Sequence, residues 1–157
     1  MQEFRIWTAL LRLAVGATWI FEAYPQLVTR DTYLGAGFVK LVQSMASGNP
    51  WHFYSNFLDR VVLPHASVFS YLTLAGNLLV GVCLLLGLLT PYAASAAMLL
   101  NINYALADGW LNRTYYSLNA VMFFAELLLL AMAAGQTFGV DAVLGSRPPQ
   151  PRRRGRL

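Results

Sequence analysis

The chain has 157 residues, 57% of them hydrophobic and only 11% charged, with a positive mean hydropathy. Charged residues normally make up about a quarter of a soluble domain, so this composition excludes an ordinary water-soluble protein and implies a membrane protein. The formal charge of +4 is a property of the C-terminal tail, where Arg147, Arg152, Arg153, Arg154 and Arg156 crowd together; a basic tail on an apolar body is not a nucleic-acid signature.

The length allows one compact unit with no appended catalytic domain, so any chemistry must happen inside a small bundle or in a partner chain. The N-terminal apolar stretch carries Arg5 and Arg12 and has no small-x-small cleavage pattern. It is expected to be a retained first span over 5–27, ended by Pro25. Residues 28–63 mix Arg30, Asp31, Lys40, Asp59 and Arg60 with aromatic and aliphatic residues, as a segment lying on the membrane surface would. Leu34, Phe38, Leu41, Val42 and Met45, then Phe53, Phe57 and Val61, recur at helical spacing on either side of Gly48-Asn49-Pro50, which predicts two interfacial helices. Trp51, Phe53, Tyr54 and Phe57, with Trp110, Tyr115 and Tyr116 in the later loop, have the make-up of an aromatic belt and place both loops on one side.

Between His65 and Asp108 the chain carries no charge, and at about 1.5 Å per residue a single helix of that length would far exceed a bilayer core of about 30 Å. Thr90-Pro91 divides it into spans over 66–89 and 91–107, joined as an antiparallel hairpin. A fourth span follows over 115–134, closed by Gly135. The predicted fold is therefore an all-α membrane protein, a four-transmembrane-helix bundle with interfacial helices between spans one and two. The membrane domain covers 1–141 and a Pro/Arg-rich tail covers 142–157, with a short amphipathic stub over 136–146. Arg5 and the tail arginines outweigh Arg30, Lys40, Arg60 and Arg113, so both termini are expected in the cytoplasm.

The polar residues inside the spans are the candidates for function. Glu126, on one face with Asn119, lies near the middle of the fourth span, where a carboxylate needs a partner or a polar cavity. Counted from the same membrane surface, Arg12 lies about 10 Å deep and Glu126 about 12 Å deep, which predicts an Arg12–Glu126 pair. Such a pair either locks the first helix to the fourth or handles protons or quinone. Glu22, near the outer end of span one, reaches the headgroup region. Asn77, Asn101 and Asn103 need hydrogen-bond partners; they serve either as interhelical glue or, with Asn119 and Glu126, as the lining of a cavity for a quinone head group, whose carbonyls accept hydrogen bonds. Asn101 and Asn103 sit roughly 200° apart on a helix and are not expected to serve one site equally.

Other chemistries lack their residues. The single cysteine, Cys83, sits in an apolar run and supports neither an internal disulfide nor a dithiol relay. His52 and His65 both lie outside the spans, which disfavours a transmembrane haem, and no metal-ligand spacing is present. No Ser-His-Asp set, P-loop or dinucleotide fingerprint occurs.

The residues Leu11-Arg12-Leu13-Ala14-Val15-Gly16, Phe21-Glu22-Ala23, Pro64-His65, Gly76-Asn77-Leu78-Leu79-Val80-Gly81 and Leu86-Gly87-Leu88-Leu89-Thr90 together resemble the DoxX/DoxD family. Asn101 to Ala107, Glu126 and Phe138-Gly139-Val140-Asp141 extend the likeness over most of the chain. The resemblance implies a four-helix membrane bundle of the type found as the small subunit of a thiosulfate:quinone oxidoreductase, with quinone as the one non-covalent cofactor. Membrane lipids and other subunits are the implied partners, and a bacterial-type cytoplasmic membrane the location. Many members carry glutamate where this chain has Asn77 and lysine where it has Gln26, which shifts weight from catalysis toward a subunit role. The expected function is thus a membrane subunit of a quinone-linked oxidoreductase that is not self-sufficient in catalysis. The alternatives are a structural accessory subunit of a respiratory or photosynthetic complex, with Arg152, Arg153, Arg154 and Arg156 holding lipids or neighbours, or an assembly chaperone.

Overall fold

The structure, a computed structural model, describes residues 2–132, 134 and 139–145. Helix α1 spans Gln2–Val28. It does not stop at Pro25 as expected: the helix runs through the proline and finishes with the Thr29 N–H donating to the Pro25 carbonyl at 2.8 Å. A proline removes a bond to the turn before it and leaves its own carbonyl free to accept.

The surface segment begins with the single turn α2, Arg30–Tyr33, and α3, Ala36–Ala46, which buries Phe38, Val42 and Ala46 on the face that the periodicity marked. The chain reverses at Gly48, whose φ of +80° is the left-handed conformation glycine adopts without strain. The second interfacial helix, α4 (His52–Phe57), is not a separate element. It passes through a π-helical turn, Leu58–Val62, and a 3₁₀ turn, Leu63–His65, into α5, Ala66–Leu86, so that His52–Leu86 forms one 35-residue helix. Pro64 has no N–H, and the wider π turn ahead of it takes up the missing bond. Helix α5 ends at Leu86, short of the expected 89, because Gly87 turns left-handed (φ +63°) and the Leu88 N–H closes back on the Cys83 carbonyl at 2.9 Å, a glycine C-cap. Helix α6 spans Thr90–Ala107. Helix α7, Arg113–Ala131, is N-capped by Asn112, whose side-chain oxygen accepts the Thr114 N–H at 2.8 Å. The short helix α8, Val140–Gly145, falls within the predicted stub.

Helices α1, α5, α6 and α7 form a closed ring of neighbours. The α1–α5 contact is the close one: a Cβ on Gly16 would lie 2.9 Å from the Leu85 backbone nitrogen, and one on Gly81 would lie 2.7 Å from the Ile20 side chain. Small residues facing each other let two backbones approach in lipid, where no hydrophobic drive brings helices together. The inner core is built from Val15, Trp19, Val80, Leu84, Ala94, Ala97 and Leu129. The surface layer packs Phe38, Val42, Tyr54, Leu58 and Val62 over the end of the bundle where α6 finishes at Ala107.

Burial is arranged as a membrane solvent demands. Phe21 (76% exposed), Leu99 (68%) and Val121 (67%) point outward while Arg12, Asn77, Asn101 and Glu126 are buried. Among the described residues, three helices are long and apolar enough to cross a bilayer, Glu3–Val28, His52–Leu86 and Arg113–Ala131. The expected fourth is α6, whose 18 residues reach about 27 Å but whose apolar character is diluted by Pro91, Tyr92, Asn101 and Asn103. Arg147, Arg152, Arg153, Arg154 and Arg156 lie outside the described residues.

Candidate functional site

The buried polar residues separate into two groups at opposite ends of the bundle. At the end where α5 passes into α6, the buried Arg12 donates from Nη1 to the Ala134 carbonyl at 3.0 Å. Beside it, Asp141 of α8 accepts the Leu89 N–H at 2.8 Å and the Thr90 N–H at 2.9 Å, capping α6 from a distant part of the sequence. Its own N–H donates to the Gly87 carbonyl at 2.9 Å. Burial by itself would raise the Asp141 carboxyl, but the Thr90 and Leu89 donors and the Arg12 charge outweigh it and hold the group below the ordinary carboxylate range. A carboxylate on the first backbone N–H groups also meets the positive end of the helix dipole.

Glu126 belongs to neither Arg12 nor this end. Its Oε1 accepts the Trp19 indole N–H at 2.8 Å and its Oε2 accepts the Asn101 amide at 2.7 Å, with the side chain 0% exposed. The expected Arg12–Glu126 pair is therefore corrected, and the reason is geometric. Side chains on a helix lean toward its N-terminus, and α1 and α7 run in opposite directions, so two residues at matching depth lean apart.

Toward the other end lies a cavity of about 440 Å³ between the bundle and the surface layer. Thr18, Trp19 and Glu22 of α1, Tyr54 of α4, Asn77 of α5, Asn101, Asn103 and Tyr104 of α6, Asp108, and Asn119 of α7 all line it. Of the six residues expected in a buried polar site, Asn77, Asn101, Asn103 and Asn119 meet at this wall; Glu126 stands behind it, holding Trp19 and Asn101, and Arg12 lies away from it. Asn101 is buried and spends its amide on Glu126, while Asn103, on the exposed face of α6, accepts the Tyr54 hydroxyl at 2.8 Å. The two asparagines thus serve one cavity in unequal ways.

Two tyrosines decide what the cavity presents. Tyr104 donates to Asn77 Oδ1 at 2.8 Å, as Tyr54 does to Asn103, so the amide oxygens are occupied and the amide nitrogens are left as donors. Asn77 is only 1% exposed, and its nitrogen has no hydrogen-bond partner among the described residues. The Trp19 and Tyr104 rings, 6.3 Å apart between centroids, and Leu58, Val62, Phe69 and Met122 give the same space an apolar wall. Among the described residues, no Lys, Arg or His lines it.

Trp19, Tyr54, Tyr104, Asp108 and Asp141 are participants that sequence reasoning missed. Trp19 is two turns from Arg12 on the same face of α1, a spacing that signals it. Asp141, far along the chain from the helix it caps, carries no local signal.

Compared with known families, residues 7–150 match the family described as "TQO small subunit DoxD". No protein of curated function and no solved structure matches the chain.

Proposed function

The chain belongs to the DoxD family, and from that membership and the polarity of its cavity we propose that it is the integral membrane subunit of a quinone-linked oxidoreductase, receiving the quinone head group while a partner chain handles the sulfur compound. The observation that carries this reading is the Asn77 amide nitrogen, which has no hydrogen-bond partner among the described residues and belongs to a side chain on the wall of a largely apolar cavity. A donor left unmet in apolar surroundings is costly, and a neutral ring with carbonyl acceptors satisfies it. A sulfur oxyanion fits poorly here, because Glu22 and Asp108 share the wall and no cation does among the described residues; unlike charge is what recognises such anions.

In this reading α6 is the fourth span, both termini lie in the cytoplasm by the Lys/Arg bias, and the cavity opens toward the outer surface layer. The accessory-subunit reading draws on Glu126, whose two oxygens are both occupied by structural donors. It accounts for Glu126 but leaves Asn77 without a purpose.

The test is extraction in mild detergent, with mass spectrometry of co-purifying chains and assay of quinone in an organic extract, for the natural chain and Asn77→Leu. The expected result is quinone in stoichiometric amount with the natural chain and about tenfold less with the variant, at equal recovery of partner chains. Absence of quinone from the natural chain, or equal amounts in both, rejects the site.

A further inference from the structure

The cavity has two polar ends of different chemistry. On one side stands Asn77, a fixed donor. On the other stands Asp108, the residue that follows α6, together with Glu22 of α1. Asp108 differs from the amides because its carboxyl either donates or accepts according to its charge. Its Oδ1 is sealed from solvent and has no hydrogen-bond partner among the described residues. A buried carboxylate oxygen without a donor is costly as an anion, so the geometry favours the protonated acid. The titratable groups sharing the wall with Asp108 are Glu22 on α1, Tyr33 on α2, Tyr54 on α4, Tyr104 on α6 and Tyr115 on α7, and none of these is a cation.

We infer that Asp108 sets the preference of this cavity between the oxidised and the reduced form of a ring ligand: the protonated carboxyl donates to a quinone carbonyl, and the carboxylate accepts from a quinol hydroxyl. The inference rests on the reading of the cavity as a quinone site and adds its regulation. Burial, opposed by a backbone hydrogen bond and helped to a smaller extent by the Glu22 charge, raises the Asp108 carboxyl to about 6, where it changes state near neutral pH. Linkage is reciprocal. A bound quinone raises the affinity of Asp108 for its proton, a bound quinol lowers it, and the cavity therefore holds oxidised ligand more tightly in acid and reduced ligand more tightly in base.

The experiment measures binding of decylubiquinone, and of its quinol under anaerobic reducing conditions, to the full chain in detergent micelles from pH 5 to pH 8. For the natural chain the quinone is expected to bind about tenfold more tightly at the acid end than at the alkaline end, and the quinol to show the opposite trend. Asp108→Asn, which keeps a donor and loses the proton, should bind quinone at a pH-independent affinity. Glu22→Gln should keep the amplitude and move the midpoint to lower pH. A flat quinone profile in the natural chain overturns the inference, as does a slope that survives in a well-folded Asp108→Asn. An unmoved midpoint in Glu22→Gln overturns it as well, should the Asp108 variant fail to fold. If quinone binds and is lost in Asn77→Leu but shows no pH dependence, this inference alone falls. If neither form binds at any pH, the quinone reading falls with it.

Discussion

The two ends of the bundle use similar residues to opposite effect. At the α8 end the charged groups meet protein partners: the Arg12 guanidinium has a carbonyl and the Asp141 carboxylate has two backbone N–H groups, while the buried Thr90 hydroxyl has no hydrogen-bond partner among the described residues. At the cavity end, among the described residues, Asn77 keeps an unused donor and Asp108 keeps an oxygen that no donor reaches. Polar groups in a membrane interior are expensive unless satisfied. A carboxylate held by donors, as Asp141 is, therefore reads as architecture, and one left without them, as Asp108 is, reads as a place for something else. Glu126 belongs to the first kind although it sits between the two: its oxygens accept from Trp19 and Asn101 and orient them, and these carry its influence to the cavity wall.

The comparison predicts that substitutions at the α8 end cost stability and substitutions at the cavity end cost ligand. The largest effect is expected at Gly87. Its left-handed φ of +63° penalises any side chain, and a Cβ there would run into the Arg12 guanidinium and the Gly139 backbone. Gly87→Val should lose about 3 kcal/mol or more, from the strained φ together with the overpacking, read as a collapse of the thermal transition in detergent. Survival of a native-like transition would show that the two ends are not built so differently.

Asp141→Ala comes next. It removes the α6 cap and leaves two backbone donors without their acceptor, a loss of about 1 to 2 kcal/mol. Because the folded carboxyl titrates below its ordinary value, this contribution is fully present above the unfolded pKa of 3.8 and is lost as the pH falls through the still lower folded one. The natural chain and the variant should therefore differ at pH 7 and converge in strong acid. A difference that persists unchanged in strong acid would mean that the carboxylate is not the stabilising group.

What the sequence disclosed follows the same division. Helix existence and burial were legible where a period or a breaker acts locally: the Phe38–Val42 face of α3, the start of α6 at Thr90-Pro91, the reversal at Gly48 to Pro50. The continuity of α4 with α5 was not, because a proline reads as a break unless a π turn ahead of it restores the path, and no residue type marks that turn. The asparagines of the cavity were legible as polar residues in apolar helices. Their roles were not, since the identity of each donor depends on tyrosines that arrive from α4 and from farther along α6. Depth along a helix suggested Arg12 for Glu126, and the opposed lean of side chains on antiparallel helices withdrew it. Asp141 illustrates the limit: a cap supplied from 51 residues away follows from tertiary structure alone.

The smallest effect sharpens the comparison most, because its sign is reversed. Asp108 titrates in the folded chain at about 6 against an ordinary 3.8, so the folded state binds its proton more tightly than the unfolded state does. Its stabilising contribution is fully present below 3.8 and is lost as the pH rises through about 6; above that the native structure carries a penalty for holding a desolvated carboxylate. Asp108→Asn keeps the shape and removes the charge. At pH 7.5 it should therefore raise stability, by on the order of 1 kcal/mol once solvent screening of the accessible part of the carboxyl is allowed for, and at pH 4 the gain should vanish. A group retained for architecture would behave as Asp141 does and destabilise when replaced at neutral pH. A group that costs stability at neutral pH has to be accounted for by something other than the fold, and here the candidate is the ligand the cavity is shaped to take. If thermal transitions of the variant fall below those of the natural chain at pH 7.5, Asp108 is architectural as Asp141 is and the contrast between the two ends fails.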